Sequence, residues 1–151
     1  MNLKQQIDSD LKQALLAGDK AKTTTLRGLK AVILDVEVAA GVRDTGLADA
    51  EIEKLIQKEV KKRRESAEIY RQNSRDELAE VEEAEIELMG GYLPKQLSEG
   101  ELKAVVSDVI STTGASSAKD MGKVIGAVKA QVGSAADGAL IAQIVKQKLG
   151  G

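Results

Sequence analysis

Cysteine and histidine are both missing from this chain of 151 residues, and together the two absences remove much familiar chemistry. Without cysteine there is no disulfide framework, no thiolate nucleophile and no Cys-based zinc or iron–sulfur site. Without histidine the usual general base near neutral pH and the commonest nitrogen ligand are gone. A Ser-His-Asp triad is excluded, and so is a carboxylate-bridged metal site of the Glu-x-x-His type. Aromatics are almost absent as well: two Tyr, no Phe and no Trp. The core must then be aliphatic, and such a composition with scattered charge favours helices over a sandwich or barrel. There is no excess of positive charge, the net charge being −2, so any contact with nucleic acid must come from a local patch. No long apolar run suits a membrane span, and Met1-Asn2-Leu3-Lys4-Gln5-Gln6 does not read as a signal peptide. The expectation is a cytoplasmic protein without membrane association.

Proline occurs once, as Pro94, at the end of Gly90-Gly91-Tyr92-Leu93-Pro94. It cannot donate a helical hydrogen bond and biases Leu93 toward extended geometry, while the two glycines permit a helix stop just upstream. Before it lie long, highly charged helical patterns, and after it short ones rich in Gly, Ala, Ser and Val. The expected organisation is all-α, with a four-helix N-terminal module over 1–93 and a small three-helix tail module over 94–151.

Hydrophobic spacing supplies the elements. Leu3, Ile7, Leu11 and Leu15, with Ala14, predict a first helix stopped at Gly18, and Asp19 is placed to cap a second that carries Leu26, Leu29, Val32, Ile33 and Val36 to Gly41. A loop to about Ala48 precedes a long third helix capped by Asp49, with Ile52, Leu55, Ile56, Val60, Ala67 and Tyr70 on its stripe. The fourth runs from about Arg75 to Met89 on Leu78, Val81 and Leu88. In the tail, Ser98-Glu99-Gly100-Glu101 is a capping-box pattern. It opens a helix carrying Leu102, Val105, Val106, Val109 and Ile110. Met121, Val124, Ile125 and Val128 mark a sixth helix, and Asp137 is placed to cap a seventh that holds Leu140, Ile141, Ile144, Val145 and Leu149.

Three constellations carry candidate chemistry. In Lys58-Glu59-Val60-Lys61-Lys62-Arg63-Arg64, helical rotation sends Lys54, Lys58, Lys61 and Arg64 outward. They form either a phosphate-contacting stripe or a solvated face, and the interleaved Glu53, Glu65 and Glu68 favour the second. Glu59 and Arg63 fall one turn apart on the apolar stripe, so they are expected to pair, with Ser66 or Tyr70 completing a structural polar cluster. The acidic run Glu77, Glu80, Glu82, Glu83, Glu85 and Glu87 lacks the loop spacing of a calcium site and is expected to pair with the basic helix before it. Last, Lys119-Asp120-Met121-Gly122-Lys123-Val124-Ile125-Gly126-Ala127-Val128-Lys129 sets Gly122 and Gly126 together on one helix side, bordered by lysines. A glycine inside a helix costs about 1 kcal/mol relative to Ala, so two imply close approach of something. That something is either another helix, the favoured reading, or a phosphodiester backbone. It is not a P-loop, because the Gly-Lys pair lies within a helical pattern.

Tyr92-Leu93-Pro94-Lys95-Gln96-Leu97-Ser98, Asp120-Met121-Gly122-Lys123-Val124, and Ala136-Asp137-Gly138 ahead of Val145-Lys146-Gln147-Lys148-Leu149 resemble the YqeY-like family. Thr25-Leu26-Arg27, Lys61-Lys62-Arg63-Arg64-Glu65-Ser66 and Ser74-Arg75-Asp76 fit its pattern too, so the resemblance covers essentially the whole chain. That family is similar to the C-terminal tail of the B subunit of the tRNA-dependent amidotransferase, which converts glutamate or aspartate esterified to tRNA into the amide. The resemblance implies an all-helical protein that is noncatalytic by itself, with tRNA or a tRNA-enzyme complex as partner. Lys119, Gly122, Lys123, Gly126 and Lys129 are then the RNA-binding candidates, with Lys58, Lys61 and Arg64 a second basic patch. No catalytic residue, metal or cofactor is assigned. The chain departs from the family's usual pattern at Ile125-Gly126, where Met-Lys is common, and at Ser134-Ala135, where Gly-Arg is common. Each departure removes a positive charge from the face expected to meet RNA. Two other readings stand beside this one. The first is a protein-interaction module docking on an amidotransferase or aminoacylation enzyme. The second is a carbon–nitrogen ligase with glutamine as amido-N donor, which would need an ATP site and an ammonia source.

Overall fold

Short polar signals set the ends of the helices. The Asn2 side chain accepts from the Gln5 amide at 2.8 Å while the Asn2 amide donates to the Gln5 side chain at 2.9 Å, a reciprocal cap that opens α1 (Leu3–Ala17). Gly18, at φ 71°, takes the left-handed conformation that ends α1. Asp19 then starts α2 (Lys20–Ala40), its carboxylate accepting from the Lys22 amide at 3.1 Å. The computed structural model describes residues 1–150 and continues with α3 (Asp49–Gln72), α4 (Asp76–Gly90), α5 (Glu99–Thr113), α6 (Met121–Val132) and α7 (Gly138–Leu149). Single 3₁₀ turns at Ala118–Asp120 and Gly133–Ala135 flank α6. Among the described residues the structure is all-α, without a strand.

The chain forms two compact units, Met1–Leu93 and Pro94 onward, and each has its own aliphatic core. The first closes around Ile7, Leu26, Leu29, Ile33, Ile52, Ile56 and Met89. The second closes around Leu102, Val106, Val124, Val128, Ile141, Ile144 and Val145. Each such side chain contributes about 1.5–3 kcal/mol on burial, so both cores are sums of many modest terms with no aromatic anchor. In the second unit the Ser98–Glu101 capping box forms as its sequence suggests. The segment ahead of it is held by the Leu97 amide donating to the Ala135 carbonyl at 2.8 Å.

Several local expectations are corrected. Leu15 is 48% exposed while Ala14 is buried, because a four-residue repeat drifts by about 40° per step against the helical period of 3.6. Val81 is 56% exposed, and α4 instead buries Ala79 and Met89. Of the run Leu78, Val81 and Leu88, Leu88 packs at the edge of the core and Leu78 is half-buried, so only Val81 is turned away from it. Asp49 does not cap α3. Ala48 occupies that position, and the Asp49 carboxylate accepts from the Leu3 amide at 2.9 Å, tying the start of α3 to the start of α1. Gly90 is still helical, and Gly91 (φ −62°) ends α4 without a left-handed turn.

The first unit also buries a charge that periodicity conceals. Glu37, 1% exposed on α2, receives both hydrogen bonds of a Lys4 fork at 2.9 Å and the Leu47 amide at 3.0 Å. Gly46 approaches so closely that a β-carbon there would lie 3.3 Å from Glu37 Oε2, and its φ of +79° independently calls for glycine. Desolvation alone raises the Glu37 carboxyl pKa, but the hydrogen bonds from Lys4 and Leu47 and the Lys4 charge hold it below its ordinary value. A second long-range tie joins Tyr92 to α1, its hydroxyl donating to Asp10 Oδ2 at 2.6 Å. Burial, then the Asp10 carboxylate, push the Tyr92 pKa upward.

A depressed folded-state pKa stabilises above the unfolded value, and that contribution disappears as pH falls through the folded one. Glu37→Gln should therefore lower unfolding free energy at pH 7 by about 1–3 kcal/mol and flatten its decline below pH of about 4. Urea titrations of both proteins from neutral to acid pH check this. Equal acid limbs would show that Glu37 is not the linked group.

Candidate nucleic-acid interface

In the second unit the apolar positions of α6 decide which residues are left outside. Val124 and Val128 are buried, with Met121, Ile125 and Val132 packed around them. Helical rotation then carries Gly122 and Gly126 to the opposite side, one turn apart, with Lys123 on one flank and Lys129 on the other. Lys119 precedes them in the 3₁₀ turn, which the Asp120 carboxylate steadies by accepting from the Ser116 amide at 3.1 Å. All five candidates, Lys119, Gly122, Lys123, Gly126 and Lys129, are exposed. None of the three ammonium groups joins an ion pair among the described residues.

The two glycines resolve one of the alternatives left by the sequence. A β-carbon at Gly122 or Gly126 would meet no described atom within 4 Å, so tight packing against another helix of the second unit is not why they are glycine. Their backbone forms a shallow, side-chain-free strip open to solvent. Lys129 is set differently. Its stem lies over the first turn of α7, where a β-carbon on Gly138 would sit 3.3 Å from Lys129 Cε and 3.4 Å from Nζ.

The remaining candidates belong to the first unit. Lys58, Lys61 and Arg64 are exposed on α3. Arg64 also lines an open cleft of about 660 Å³ shared with Glu68, Arg71 and Glu83, so its surroundings are mixed in charge. Glu59 is buried, and Arg63 Nη1 lies 3.4 Å from its carboxylate while Arg63 Nε lies 2.9 Å from Glu85 on α4. The third member of this cluster is thus Glu85. Ser66 turns away, its hydroxyl donating to the Lys62 carbonyl at 3.2 Å. Arg71 reaches Glu83 at 2.8 Å and Asp76 at 3.5 Å, so the basic and acidic helices are stitched as an antiparallel pair. Among the described residues no three acidic side chains converge as a metal site, and no helix is long and apolar enough to cross a membrane.

The family described as Yqey-like protein matches residues 4–149, nearly the whole chain across both units. This chain belongs to the YqeY-like family. Relatives carry the name "Altered inheritance of mitochondria protein 41, mitochondrial". The protein of that name from Lachancea thermotolerans is 36% identical over 107 residues, covering 70% of this chain and 56% of its own length. The one from Eremothecium gossypii is 37% identical over 87 residues, 58% of this chain and 46% of the relative. The one from Pyrenophora tritici-repentis is 27% identical over 150 residues, 96% of this chain and 80% of the relative. This member of the YqeY-like family therefore spans about half the length of the first two relatives it matches. Their name places those relatives in mitochondria, so a cytoplasmic address does not follow from membership of the family.

The one feature of the α6 strip that its sequence leaves undecided, its openness, has a thermodynamic test. Gly126→Ala should raise unfolding free energy by about 1 kcal/mol, and Gly122→Ala, in the first turn, by less, because alanine restricts the unfolded chain and meets no neighbour. Chemical denaturation reads this directly. A loss of stability would mean that the strip is packed.

Proposed function

We propose that this protein is a noncatalytic, tRNA-associated accessory protein that holds RNA on the exposed α6 face of its second unit. The observation that carries the reading is the open Gly122–Gly126 strip bordered by Lys119, Lys123 and Lys129, none of them ion-paired among the described residues. A strip without side chains lets a sugar–phosphate backbone approach the helix, and free ammonium groups on its borders replace the counterions that phosphate otherwise holds. Backbone contacts of this kind fix position without reading sequence, which suits recognition of a folded RNA by shape. Membership of the YqeY-like family supports tRNA, or a tRNA-enzyme complex, as the RNA concerned, through the family's similarity to the amidotransferase tail. Lys58, Lys61 and Arg64 of the first unit are a secondary contact. Cytoplasmic residence is part of the proposal.

The alternative is a protein-interaction module that docks on an aminoacylation or amidotransfer enzyme, favoured by the net charge of −2 and by the loss of basic residues at Ile125-Gly126 and Ser134-Ala135. A pull-down that survives nuclease treatment supports that reading over RNA tethering. For the RNA reading, Lys119→Ala, Lys123→Ala and Lys129→Ala combined should weaken tRNA binding and lower the slope of log K against log salt by about 2–3, near one unit per lost phosphate contact. An unchanged slope would remove these lysines from the interface.

A further inference from the structure

We propose that the groove between α2 and α4 of the first unit is a docking site for a basic amphipathic helix of a partner protein. The groove has a volume of about 380 Å³. Its walls are Ala21 and Thr24 of α2 and Val81, Ala84 and Leu88 of α4, with Lys20 also at its edge. Val81 lies 56% exposed there, on a helix that buries smaller Ala79 completely. From Val81 to Leu88 the apolar stripe runs about 10 Å, which matches two turns of an incoming helix with anchors at i, i+3 or i+4, and i+7.

Charge selects the occupant. The carboxylates of α4 differ in their surroundings: Asp76 lies 3.5 Å from Arg71, and Glu82 is half-buried. Glu83 and Glu85 are neutralised by Arg71 and Arg63 of α3. Glu77, Glu80 and Glu87 are exposed and join no ion pair among the described residues. By helical rotation Glu80 and Glu87 follow the outer border of the Val81–Ala84–Leu88 stripe, and Glu77 lies at its N-terminal end. With Lys20 on the α2 side and these carboxylates on the α4 side, the groove fits a helix whose aliphatic stripe carries Lys or Arg on the flank that meets α4. The same carboxylates repel phosphate, which disfavours RNA and anionic lipid in this groove. The docking surface is independent of the α6 strip, so the two assignments stand or fall separately.

The test uses the ¹⁵N-labelled full-length chain and a designed 18-residue helical peptide, with Leu on one stripe and Lys on its flanks. A control peptide has the same composition with the Leu positions scrambled. The expected result is saturable amide-shift changes centred on Ala21, Thr24, Val81, Ala84 and Leu88, with binding of the control at least tenfold weaker. Val81→Asp, and Glu80→Lys with Glu87→Lys, should each weaken binding at least tenfold while thermal melting shows the fold intact, because all three side chains are exposed. Equal binding of the two peptides, shifts centred elsewhere, indifference to Val81→Asp, or no binding would overturn the proposal. So would sedimentation showing that the unliganded chain dimerises through this groove, or tRNA shifting the same amides.

Discussion

One buried carboxylate organises the first unit. Glu37 collects Lys4 from α1 and the Leu47 amide from the loop before α3, so three stretches of chain meet on two oxygens. Removing either donor would leave a desolvated charge short of partners, and that asymmetry, more than the net strength of the bonds, fixes the geometry. Gly46 is a consequence of this: the loop must pass close to the carboxylate with a positive φ. With α1, α2 and the loop thus placed, the small aliphatic core around Ile7, Leu26, Ile33 and Ile52 can close without aromatic bulk. The α3–α4 pair is then fastened along its length by Arg63 and Arg71.

That division of labour shapes what remains on the surface. Arginines of α3 take the carboxylates of α4 that face them, and Glu77, Glu80 and Glu87 are left without an ion pair among the described residues. In the second unit the pattern is reversed. Its core of Val, Ile and Leu takes one side of α6, and the opposite side carries lysines without acidic partners among the described residues. A protein of net charge −2 can in this way present a basic strip in one unit and, in the other, an apolar groove with carboxylates along one border.

Features that depend on neighbours along the chain are legible in the sequence itself. The Gly18–Asp19 junction and the Ser98–Glu101 capping box are local devices, each complete within a few residues, and both form as their residues suggest. The pairing of Arg63 with Glu59 spans one helical turn and is legible for the same reason. Glu85 joins that cluster from another helix, and Glu37 finds Lys4 across 33 residues, so neither contact leaves a periodic trace. Val81 shows the opposite failure. Its spacing with Leu78 and Leu88 is helical, yet only the position of α2 and α3 decides which stripe of α4 is covered. The α6 candidates are legible as residues, but spacing alone does not separate a glycine that receives another helix from one that faces solvent. The empty space beyond Gly122 and Gly126 does.

In the function proposed above, the α6 strip meets a folded RNA. Binding of the purified protein to bulk tRNA across a salt series, beside an unstructured RNA of equal length, tests it most directly. Retention on the α6 strip gives tRNA-selective binding that weakens steeply as salt rises, with little retention of the unstructured control. Equal binding of both RNAs, or none at low salt, would contradict it.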